Sequence, residues 1–159
     1  MTPKKKKILK IVAILLIAGL LIGGGTVLYM FNMPHRNVQS ASTDFSVTAS
    51  QLVAEYLENP TKANEKYLAD DGDSKILEVT GTVKKISTDF NGQKVVLLQE
   101  ATEEAGVSCS FTLETNQNAS GIRIGQKVTI KGVIRSGASY DEDLEMYENV
   151  VVEKSDLVK

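Results

Sequence analysis

Two stretches decide how this chain folds: "GQKVTIKGVIRSG", Gly125–Gly137, and "LEVTGTVKKIS", Leu77–Ser87. Each alternates β-branched with polar residues, the period-two pattern of a half-buried strand. Each also carries a glycine on its apolar face. Leu77, Val79 and Val83 share a face with Gly81, and Val128, Ile130 and Ile134 share one with Gly132. A glycine there has no side chain to pack, so it marks a bend, a bulge or a close backbone approach. Val83 and Ile86 break strict alternation, which predicts a bulge near Lys84-Lys85.

Around these two the period stays at two. Strands are predicted at about 75–87, 93–99, 106–114, 126–136 and 144–154. In the third, Val107, Cys109, Phe111 and Leu113 alternate with Ser108, Ser110, Thr112 and Glu114, so Cys109 is expected to be an inert core residue. Long strands bent at inward glycines are what a small closed barrel needs at its corners. Five of them, with only "NQNASGI" between the third and fourth, predict a mainly β fold: a five-stranded Greek-key barrel, the OB-fold. In that fold the first and fourth strands are neighbours, so the two glycine-bearing strands should run side by side.

One or two short helices precede the barrel. Thr48 followed by Gln51 forms a capping box. Leu52, Val53, Tyr56 and Leu57 give one apolar stripe. Asn59-Pro60 ends that helix and starts the next, whose apolar side is Ala63, Tyr67 and Leu68.

The first 31 residues differ in kind. They hold five of the 18 basic residues and no acid, leaving 13 bases against 20 acids and a net charge of −7 for residues 32–159. After a basic stub (1–10), Ile11–Phe31 is 21 residues without a charge. As a helix it would extend about 31 Å, close to the ~30 Å of a hydrocarbon core. It therefore reads as a transmembrane helix and uncleaved signal anchor. It is too long for the apolar core of a signal peptide and lacks a small-residue cleavage site. The excess of lysine before it predicts a cytoplasmic N-terminus, a polar linker at 32–46 and an extracytoplasmic domain at 47–159 in the cell envelope. No cysteine follows the apolar stretch, which argues against a lipid anchor.

A wider pattern runs through this part of the chain. Leu52, Tyr56, Asn59, Ala63 and Tyr67 lead into V-x-G-x-V-x-x-I at Val79, Gly81, Val83 and Ile86. G-x-x-V-x-I-x-G follows at Gly125, Val128, Ile130 and Gly132. Over residues 48–154 this resembles the small bacterial OB-fold proteins named for likeness to the tRNA-anticodon-binding domain, the tRNA_anti-like family. The resemblance implies the barrel and, by its name, a link to nucleic acid. Members often carry a cysteine in the third strand and another in the last. Cys109 fits the first, but valines in "NVVVE" stand at the second, so that disulfide is not expected.

An OB-fold binds through the outer face of its second and third strands and the loops joining strands 1–2 and 4–5. Those loops supply the candidate binding residues Phe90 and Asn91 in the first, and Tyr140, Asp141, Glu142 and Asp143 in the second. Single-strand binders set stacking aromatics in a basic groove, whereas these loops set few aromatics among acids. An acidic domain also repels phosphate. The expected function is a membrane-anchored extracytoplasmic binding module with an envelope protein or peptide as partner. The alternative is a nucleic-acid-binding OB-fold domain tethered at the cytoplasmic face. Catalytic residues, metal ligands and cofactors are not expected. The one histidine, His35, lies in the linker, and neither Asp70, Asp71 and Asp73 nor the 141–145 acids have calcium-loop spacing.

Overall fold

The computed structural model describes residues 3–31, 37–69 and 73–158. His35, Asp70 and Asp71 lie outside the described residues. The chain divides into two units, Met1–Arg36 and Asn37–Lys159.

The first unit is one helix, α1 (Pro3–Phe31). It joins the expected stub and apolar segment into a single element, with proline near its start, where the missing N–H costs nothing. Its described side chains are Val12 and residues 14–29, and large apolar ones such as Leu16, Leu20 and Ile22 are exposed. Among the described residues no helix is long and apolar enough to cross a membrane.

The second unit begins with a short strand, β1 (Phe45–Thr48), followed by helices α2 (Ala49–Glu58) and α3 (Pro60–Tyr67). The Thr48–Gln51 capping box is present in both directions. Asn59 closes α2 and caps α3, its Oδ1 accepting from the Lys62 N–H at 3.0 Å. Five longer strands follow: β2 (Ile76–Thr88), β3 (Lys94–Leu98), β4 (Val107–Phe111), β5 (Lys127–Ser136) and, after a hairpin, β8 (Val150–Leu157). That hairpin is β6 (Ser139–Asp141) and β7 (Met146–Glu148).

The sheet order is β1-β2-β3-β4-β8-β5, and β5 pairs back onto β2. The five longer strands thus close a barrel, with β4 and β8 parallel and the other neighbours antiparallel. The two glycine-bearing strands are adjacent: Gly81 lies opposite Val128, and Gly132 opposite Leu77. The register of β2 against β3 slips between Val83 and Lys85.

Each of the two glycines is a close approach. A Cβ on Gly81 would stand 2.9 Å from the Ala49 Cβ and 3.0 Å from the Leu98 Cβ, because the start of α2 rests on β2 there. A Cβ on Gly132 would stand 2.5 Å from Val152 Cγ1 and 2.8 Å from the Glu153 carbonyl, where the β5–β8 register shifts. One core joins the barrel interior to the helices, with Leu52, Tyr56 and Tyr67 packed among Leu77, Leu98, Phe111 and Ile130.

Four expectations are corrected. The final strand is β8 at 150–157 rather than 144–154, because Met146–Glu148 turns back on Ser139–Asp141. The third strand stops at Phe111; residues 112–115 form a turn closed by Thr112 and Thr115, which leaves Leu113 exposed. Leu57 is 42 % exposed, off the buried stripe of α2. The described part of the 32–46 linker is fixed to the domain. Val38 is buried, Lys131 Nζ donates to the Ala41 carbonyl at 2.5 Å, and Asp44 Oδ2 accepts from the Ile76 N–H at 2.8 Å. Phe45–Thr48 then pairs in parallel with Leu77–Thr80 as β1.

Candidate interaction surface

The outer face of β3 and β4 is read from the register. Lys85, Leu97, Ser108 and Val151 form one row across β2, β3, β4 and β8, and Ser87, Val95 and Ser110 form the next. The face is aliphatic and hydroxylic, and no aromatic side chain lies in these rows. Base stacking, which carries sequence-tolerant single-strand binding, has no platform there.

The loop between β2 and β3 is a tight turn held by polar groups. Asp89 Oδ1 accepts from the N–H groups of Asn91 (2.9 Å) and Gln93 (2.8 Å), and Gly92 takes a positive φ of 79° that suits glycine. Asn116 clasps the turn from the side: its Nδ2 donates to the Gly92 carbonyl and its Oδ1 accepts from the Lys94 N–H, both at 2.8 Å. Phe90 stands fully exposed at the tip, with Asn91 beside it.

The loop between β5 and β8 is the β6–β7 hairpin. Tyr140 lies opposite Tyr147, their ring centroids 4.9 Å apart. Asp141 Oδ1 accepts from the N–H groups of Asp143 and Leu144 at 2.9 Å each, so this carboxylate shapes its own turn. Glu142 and Asp143 are exposed. The nearby Glu104 carboxylate pushes the Tyr147 phenol above its ordinary pKa. Among the described residues no three His, Cys, Asp or Glu side chains gather as a metal site would need.

β2 and β5 are antiparallel, and each of these loops follows the C-terminal end of its own strand. Phe90 and Asn91 are therefore at one end of the barrel, and Tyr140, Asp141, Glu142 and Asp143 at the other.

Three contributors escaped the sequence reading. Tyr147 looks like a strand residue but packs its ring, tilted by 57°, against Tyr140. Glu104 has no signal beyond its charge. Gly137 roots the hairpin: the Tyr56 ring lies so close that a Cβ at 137 would fall among its ring carbons. Tyr56 is buried, and its hydroxyl finds no hydrogen-bond partner among the described residues. Burial first, then Tyr67 and Glu55, push its pKa up to about 12. Cys109 is fully buried in β4, and burial raises its thiol to about 12, so it stays protonated and unreactive.

The closed barrel, its strand order and its two flanking loops define an OB-fold domain. Residues 1–143 match the tRNA_anti-like family, and the chain belongs to it. The match starts ahead of the expected residue 48 and ends short of 154. A crystal structure of a candidate nucleic acid-binding lipoprotein from Klebsiella pneumoniae is similar over 80 % of this chain and all of that one. The identity is 18 % and the TM-score 0.52, a likeness of fold alone. No curated protein matches the chain.

Proposed function

We propose that the chain is a membrane-anchored, extracytoplasmic OB-fold module that binds a basic segment of an envelope protein or peptide. The observation that carries the reading is the charge at one end of the barrel. Loops 99–106 and 137–149 hold eight acids (Glu100, Glu103, Glu104, Asp141, Glu142, Asp143, Glu145, Glu148) and no lysine or arginine. A cationic partner is drawn to such a surface and a phosphate backbone is repelled.

Anchoring is supported by the uncharged Ile11–Phe31 and the lysines before it. An apolar helix with no polar side needs lipid or protein around it. The structurally similar Klebsiella protein is a candidate lipoprotein, but the one cysteine in these 159 residues is sealed inside β4 and cannot carry a lipid. Protease treatment of intact cells with the outer barrier opened tests the topology. Digestion beyond about residue 40, with cytoplasmic controls intact, is the expected result. Protection until the inner membrane is broken would sink it.

The second reading is a nucleic-acid-binding domain at the cytoplasmic face, favoured by the name of that Klebsiella protein. A single-stranded oligonucleotide titration decides it. Tight binding that weakens steeply with salt establishes this second reading over the first.

A further inference from the structure

The end of the barrel opposite the acids has a different surface, and its occupant is not a basic peptide. Loops 89–94 and 112–127 carry Lys94, Arg123 and Lys127 against Asp89 and Glu114. Lys84 and Lys85 are exposed on the β2 arm of the same hairpin. Of the two acids, Asp89 is turned inward on backbone N–H groups, and Glu114 is exposed. Fully exposed Phe90 stands at the tip of the hairpin that carries Lys84, Lys85 and Lys94. Leu113, 65 % exposed, lies against the same turn, its Cδ2 3.9 Å from where a Gly92 Cβ would be.

An exposed phenylalanine is ordinarily a mobile loop residue that costs nothing to replace. Here six hydrogen bonds involving Asp89 and Asn116 fix the turn that presents it. A rigid apolar tip on a hairpin whose arms carry lysines fits a surface that is apolar within and anionic at its rim.

We propose that the Phe90–Leu113 tip docks on the surface of a bilayer containing anionic lipid. Phe90 enters the acyl boundary, and Lys84, Lys85 and Lys94 lie among the headgroups. The eight acids at the far end are repelled by the same surface, so the domain stands with its acidic loops away from the lipid. This goes beyond the binding module proposed above and rests on the domain's own geometry, not on which leaflet faces it.

The chain contains no tryptophan, so Phe90→Trp in the full-length protein is a single-site reporter. It is reconstituted in phosphatidylcholine vesicles with and without phosphatidylglycerol. On the anionic vesicles its emission should shift to the blue and be quenched by brominated acyl chains. Leu144→Trp, at the acidic end, should keep water-like emission under the same conditions. Each lysine near an anionic surface is worth roughly fivefold in binding, so Lys85→Gln with Lys94→Gln should relieve most of the quenching. The proposal fails if the Phe90→Trp reporter stays unquenched on anionic vesicles, or if position 144 is quenched equally. It also fails if the shift is the same without phosphatidylglycerol, or if only a single-stranded oligonucleotide produces it. In that last case the tip contacts nucleic acid.

Discussion

The turn at 89–93 is held by polar groups and presents an apolar tip. The hairpin at 139–148 is rooted by an aromatic ring on a glycine and presents carboxylates. One barrel thus carries two loops whose internal scaffolding is the reverse of what each shows to solvent. The contrast has a physical origin. A turn that exposes phenylalanine gains nothing from its own side chain, so hydrogen bonds must order it. A hairpin crowded with like charges is pushed apart, so buried contact at its base must hold it. The two loops should therefore fail under different substitutions.

The largest effect is expected at the hairpin root. Gly137→Ala puts a methyl group where the Tyr56 ring lies, and overpacking of a full core site costs about 3 kcal/mol. Thermal melts would show a fall in Tm of many degrees; an unchanged melt would mean that Tyr56 can move aside.

Next comes the opposite loop. Asn116→Ala removes both hydrogen bonds that clasp the turn, for about 1–2 kcal/mol, and the Lys94 amide should exchange faster with deuterium. Phe90→Ser should leave stability within about 0.5 kcal/mol, since the ring touches no core. A larger loss would show that the tip is structural and not a docking element.

A further small effect lies in α2, which backs the acidic hairpin. Lys66 Nζ sits 2.8 Å from Glu55 and, with Tyr67, holds that carboxyl below its ordinary pKa. The lowered value stabilises the fold above the unfolded carboxylate pKa of about 4.3, and the gain is lost as pH falls through the folded value. Both side chains are more than a third exposed, so Glu55→Gln should cost under about 1 kcal/mol at neutral pH. It should also flatten the acid limb of a stability–pH curve. A steeper acid limb in the variant would reverse this sign.

The barrel was legible in the sequence because its strands are long and their alternation is clean. The closure of β2 on β5 followed from two glycines on inward faces. The hairpin was not legible. Its strands have three residues each, and its left-handed position is Glu145 at φ 51° rather than a glycine, so the usual turn signal is missing. "MYENVVVE" consequently reads as one continuous strand. β1 is a four-residue segment whose pairing with β2 depends on a partner 32 residues away. The loop residues Phe90 and Tyr140 could be named from fold logic, but their placement at opposite ends required the register. Gly137 was visible as a glycine, while its reason, Tyr56, lies 81 residues earlier.

Cys109 is the sole thiol of the chain, and it is closed off inside β4 between two paired neighbours, β3 and β8. A small alkylating reagent can reach it only when that strand leaves the barrel. The rate of its labelling in native buffer therefore clocks the opening of the barrel at β4, with no background from a second thiol.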